Sequence, residues 1–200
     1  HFQQGVSGSF NTMSFTGCEF DAGLDVDAGH DVQNLYVSDC VISGASVWTG
    51  GMSHCFIDRC TWQGSTDTLT VTGGASNTHW VNCSFDTSGA GGAKLTFNGG
   101  SYSGIVVAEC HFGIPGTNGA IYLQSTSGSR GIQIVDNHFD RTSATANPYI
   151  KSADGDFEGV TIVGNHFMRD GFGNYVEDAA GVSITGIFKE SVFGPNTPPD

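Results

Sequence analysis

Positive charge is scarce in this chain: seven Lys and Arg stand against twenty Asp and Glu, for a net charge of −13. That deficit disfavours nucleic acid and anionic membrane as partners, because both select basic patches. A polyanionic ligand would need a local basic site or a bridging cation. No apolar run approaches the roughly 18 residues of a membrane-spanning helix, so membrane insertion is not expected. Helical periodicity is missing too, since no long stretch repeats its apolar residues every 3.6 positions. Charged residues make up only 14% of the chain, but hydrophobic residues make up 38%, so the low charge does not signal disorder. The chain opens at His1 without an initiator Met or a signal-like apolar stretch, and a processed form or an excised piece is expected.

What is present is glycine, 30 of 200 residues, with Ser, Thr and Asn spread between short apolar runs, a pattern of many turns and short strands. The runs repeat. Residues 132–139 read IQIVDNHF, and 28 positions later residues 160–167 read VTIVGNHF. The same octet underlies MSFTGCEF (13–20), LYVSDCVI (35–42), CFIDRCTW (55–62), THWVNCSF (78–85) and IVVAECHF (105–112). Its sixth letter falls at Cys18, Cys40, Cys60, Cys83, Cys110, Asn137 and Asn165, at intervals of 22, 20, 23, 27, 27 and 28 residues. Its eighth is Phe20, Ile42, Trp62, Phe85, Phe112, Phe139 and Phe167. A second, alternating repeat lies between the octets and places Val26, Trp48, Val71, Phe97, Leu123, Ile150 and Val176 at one position. Period-2 alternation makes these strands with one buried face.

A unit of 20–28 residues holding three short strands cannot bury its own apolar face, so it must stack on its neighbours. The expected fold is all-β: a single-stranded parallel β-helix of about seven to eight three-strand coils over residues 1–187. Residues 188–200 are expected to form a tail or linker. The chirality of parallel crossovers favours right-handed winding. The pattern V-x-I-x-(G/D)-N-x-F resembles the signature of right-handed parallel β-helices of the pectate-lyase type, in which an Asn ladder fills one corner. Cys replaces Asn in the first five corners here. The resemblance implies fold rather than activity, because such coils serve lyases, hydrolases, epimerases, phage tailspikes and adhesins.

The cysteines read as buried free thiols, small core residues rather than zinc ligands or disulfides. C-x4-C occurs once, at 55 and 60, and parallel ladder side chains do not aim at one another as a disulfide requires. Unpaired thiols fit folding in a reducing cytoplasm, followed by life outside the cell or on a virion surface. Trp48, Trp62 and Trp80 fall on inward positions. His111, His138 and His166 point outward at coil spacing, with Asp140 two residues beyond His138, but parallel side chains are not expected to converge on an ion. No metal site is therefore expected there. The segment SADGDFEG (152–159) admits calcium but lacks EF-hand spacing. Asp39 and Arg59 are expected to pair across coils.

The outward letters of the second repeat suggest a functional face. Tyr122, Tyr149 and Tyr175 form one expected column, beside Gln124, Lys151 and Glu177. Tyr offers a flat apolar face with a polar rim, suited to a sugar ring, and the amide and charged groups suit hydroxyls. Loops 113–120 and 140–148 lengthen beside this face, as the wall of a groove would. In polysaccharide enzymes of the β-helix class the glycan lies on this face, so the resemblance implies polysaccharide as the partner, as in a tailspike, together with a homotrimer or larger assembly. Catalysis would need two carboxyls, for which Glu177 with Asp154 and Asp156 are the candidates. Glycoside hydrolase and polysaccharide lyase both stay open. The competing expectation is a non-catalytic structural or adhesive solenoid whose Tyr column joins subunits.

Overall fold

The computed structural model describes residues 11–28, 30–64, 69–87, 94–113, 119–124, 128–140, 149–152, 157–167, 176–177, 188–189 and 192–193. Among them all regular structure is strand, without helix, and each strand pairs in parallel with its counterpart one turn away. The chain is a parallel β-solenoid. Its first sheet runs through Ser46–Trp48, Leu69–Val71, Leu95–Asn98, Ile121–Gln124, Ile150–Ser152 and Val176–Glu177. Its third runs through Glu19–Phe20, Val41–Ser43, Thr61–Gly64, Ser84–Thr87, His111–Phe112, His138–Phe139 and His166–Phe167. Between them lies a second, larger sheet, which each full turn crosses in two pieces, for example Met52–Ser53 followed by Phe56–Asp58.

Two expectations about the coil need correction. Five complete turns are described, flanked by partial ones, rather than seven to eight. Each complete turn holds four strand segments rather than three, because the second sheet is bent in the middle of the turn. The bend is made by a left-handed residue: Asn34, His54, Asn77, Gly104, Gly131 and Gly159 stack turn upon turn, all with φ between 46° and 63°. A second left-handed column, Gly17, Asp39, Arg59, Asn82, Glu109, Asp136 and Gly164, turns the chain into the third sheet. Each non-glycine residue there costs of the order of 1–2 kcal/mol in backbone strain, which the buried residue that follows it offsets. After the first column come Cys55, Thr78, Ile105, Ile132 and Val160; after the second come Cys40, Cys60, Cys83, Cys110, Asn137 and Asn165, all buried. The parallel pairing also runs through Phe188–Lys189 and Val192–Phe193.

The interior is built of columns. Trp62, Phe85, Phe112 and Phe139 stack nearly parallel, with centroids 5.0, 4.9 and 5.0 Å apart, the inter-strand spacing of the sheet beneath them. Trp48, Trp62 and Trp80 are fully buried, as expected from the alternation. The six cysteines are free thiols; Cys18 is half-buried and the others buried. In the corners that they occupy, the thiol donates to carbonyls, as Cys110 Sγ does to Ala108 O at 3.2 Å. Where Asn takes over, the amide does more: Asn137 Oδ1 accepts from Cys110 N at 3.0 Å, and its Nδ2 donates to Val107 O and Asn165 Oδ1. The glycine pairs at 50–51, 73–74 and 99–100 form the turns between first and second sheets, where backbones meet directly. A Cβ on Gly73 would overlap the Gly50 carbonyl, and one on Gly100 would overlap Gly74.

Candidate functional site

The first sheet presents one outward column of Val47, Thr70, Thr96, Tyr122 and Lys151, held in register by parallel pairing. Asn98 and Gln124 pair beside it. Thr70, Thr96, Tyr122, Gln124 and Lys151 are half-exposed and Asn98 is exposed, so hydroxyl, amide, ammonium and aromatic groups share one solvent-facing strip.

The expected tyrosine column does not form. Tyr122 pairs with Lys151, not Tyr149, because the turn that follows is shifted by two residues: Ile121 lies against Ile150, and Leu123 against Ser152. A two-residue slip leaves inward residues inward, so hydrophobic alternation cannot reveal it. Tyr149 itself is buried, 4% exposed, with its ring 5.8 Å from Phe139. It precedes the strand, at the entry corner, in line with buried Ala120 and Lys94, and the alternation of extended chain does not hold there. Tyr149 is therefore a core residue. Tyr175, Asp154 and Asp156 lie outside the described residues, as do most of both flanking loops. Of Glu177 the backbone alone is described, opposite Lys151.

On the second sheet the sequence reading missed an aromatic ladder. Tyr36 and Phe56 stack at 5.7 Å with an interplanar angle of 1°, and His79 follows at 5.9 Å. The spacing of 20 and 23 residues is present in the sequence, but on outward positions that hydrophobic alternation does not single out. The rings stand on edge and cover one another. Only Tyr36, 38% exposed, has a small neighbour on its other side, Ser14. Nearby, Arg59 bridges Asp39, at 2.7 Å, and the largely buried Asp58, which realises the expected cross-coil pair. The hydrogen bonds from Arg59 hold the Asp39 carboxyl below its usual range.

The third sheet brings the outward histidines together. His111 lies opposite His138 and His138 opposite His166, with ring centroids 5.4 and 5.0 Å apart and nearly parallel planes. Parallel stacking is what the sequence implies, but the expectation that nothing converges there fails at Asp140. Its Oδ1 lies 3.0 Å from His111 Nε2 and 3.6 Å from His138 Nε2. Burial, and then the like charge of His111 and His166, hold the His138 imidazole below its usual pKa, with Asp140 opposing.

No protein-family profile matches this chain, and no curated protein or solved structure resembles it closely enough to count as a match. The pectate-lyase and tailspike likeness thus rests on the coil pattern alone, and the established description is of a parallel β-solenoid.

Proposed function

We propose that this solenoid binds a polysaccharide along the outward strip of its first sheet, in the manner of a phage tailspike. The supporting observation is the register of Thr70, Thr96, Tyr122 and Lys151, with Asn98 and Gln124 alongside. An extended glycan presents hydroxyls at regular intervals, and this strip repeats donors and acceptors at one strand spacing. Tyr122 supplies the apolar surface for one sugar ring. Gln124 and Lys151 hydrogen-bond to its substituents. Depolymerisation belongs to the same reading, with Glu177, opposite Lys151 in the sheet, and Asp154 and Asp156 as the candidate carboxyls.

A glycan array tests the binding: Tyr122→Ala and Lys151→Ala should each lose the signal that wild type gives, while Tyr36→Ala keeps it. Retention of full signal in both strip variants would refute the assignment. Release of reducing ends from bacterial capsule, abolished in Glu177→Gln, tests hydrolysis; formation of an unsaturated uronate instead would mark a lyase.

A second reading is subunit assembly. Val47, 41% exposed, sits in the same outward column, where an apolar side chain serves protein better than sugar. A trimer by mass photometry that Val47→Asp converts to monomer would favour that reading.

A further inference from the structure

Among the described residues, His111, His138 and Asp140 form a group of three metal-ligating side chains whose ligand atoms lie close together. His111 and His138 are adjacent because their strands pair in register. Asp140 is two residues beyond His138 on extended chain, so it projects from the same face. Its backbone N–H donates to Phe112 O at 2.8 Å, which keeps it in line with the strand. The position beside it on the neighbouring turn is Gly113, which carries no side chain. One ring nitrogen of each histidine and a carboxylate oxygen all lie within 4.8 Å of one another. A second carboxylate, Asp86, sits across Gly113, its Oδ1 3.5 Å from where a Cβ on that glycine would be.

We propose that His111, His138 and Asp140 form a binding site for one divalent transition-metal ion of the zinc class on the outer face of the third sheet. Two imidazole nitrogens and one carboxylate oxygen are the donor set of such ions, whereas calcium and magnesium demand oxygen. Bond lengths of about 2.0–2.2 Å require the two stacked imidazoles to tilt towards one another and towards the carboxylate. They are 36–42% exposed and thus not locked by packing. Ligation needs neutral imidazole. Asp140 and Asp86 place negative charge close by, which favours a cation. Three protein ligands leave the ion an open position towards solvent, available to water or to an anionic oxygen of another molecule. The ion would also tie two successive turns together.

The test is calorimetric titration of the whole chain with zinc chloride at neutral pH, beside calcium and magnesium chloride. Wild type should take up one zinc ion per chain and neither alkaline-earth ion. Asp140→Asn and His138→Ala should each weaken uptake by at least about tenfold, whereas His54→Ala, at a site without converging ligands, should leave it unchanged. Asp140 is a surface residue, so Asp140→Asn remains informative even if His138→Ala misfolds, which circular dichroism would show. Cobalt(II) separates this site from the thiols: its absorption should lack a thiolate charge-transfer band. Absence of stoichiometric zinc uptake, full uptake by Asp140→Asn, or a thiolate band would each overturn the proposal.

Discussion

Asn137 shows what one side chain does in this fold. It stands where five earlier turns carry Cys, and it answers both the Cys110 N–H below and the Asn165 amide above. Asn137→Ala leaves the Cys110 N–H buried without a partner, a loss of about 1–3 kcal/mol for that group alone. Urea denaturation should show it, and Asn137→Cys, the substitution that the chain itself makes in other turns, should cost less than Asn137→Ala. The thiols carry a second consequence. Burial raises the Cys55 pKa above 9.0, and the Cys110 thiol and burial raise that of Cys83. Against a lowering effect of Cys40, the Cys83 thiol and burial push Cys60 up to about 12. Raised folded-state values mean stability that is complete below the thiols' ordinary pKa and is lost as pH rises above it. The urea midpoint should therefore fall above about pH 9; a flat midpoint through that range would contradict the burial of these thiols.

At the scale of the strand, stability resides in stacked columns rather than in isolated contacts. Phe139 is fully buried against Phe112 and Tyr149, and Phe139→Ala should cost about 3–5 kcal/mol by thermal or urea unfolding. The columns were legible in the sequence wherever one letter recurs at one depth, as with Cys60, Cys83 and Cys110 or Phe85, Phe112 and Phe139. Other features were not, for physical reasons. The slip that sets Tyr122 against Lys151 preserves every inward residue, so no pattern of hydrophobicity records it. Tyr149 turned inward because it lies at a corner, outside the extended chain to which alternation applies. The bend in the second sheet had a signal, since Asn34, His54, Asn77 and Gly104 are types that tolerate the left-handed region, but such residues are common in any turn. The approach of the Asp140 carboxylate to His111 is a relation between turns that no single repeat contains.

For the whole molecule, one geometric relation underlies the buried columns, the outward strip of the first sheet and the histidine cluster: segments 20–31 residues apart lie directly over one another. The acidic surface is compatible with this, because few of its charges need burial, and Arg59 pairs with the largely buried Asp58. Native-state thiol labelling probes the relation directly, since it reports on a column that spans several turns. With a small thiol reagent under native conditions, Cys18 should react, and Cys40, Cys55, Cys60, Cys83 and Cys110 should stay protected until the chain unfolds. Rapid native labelling of several of those five would contradict the stacked solenoid.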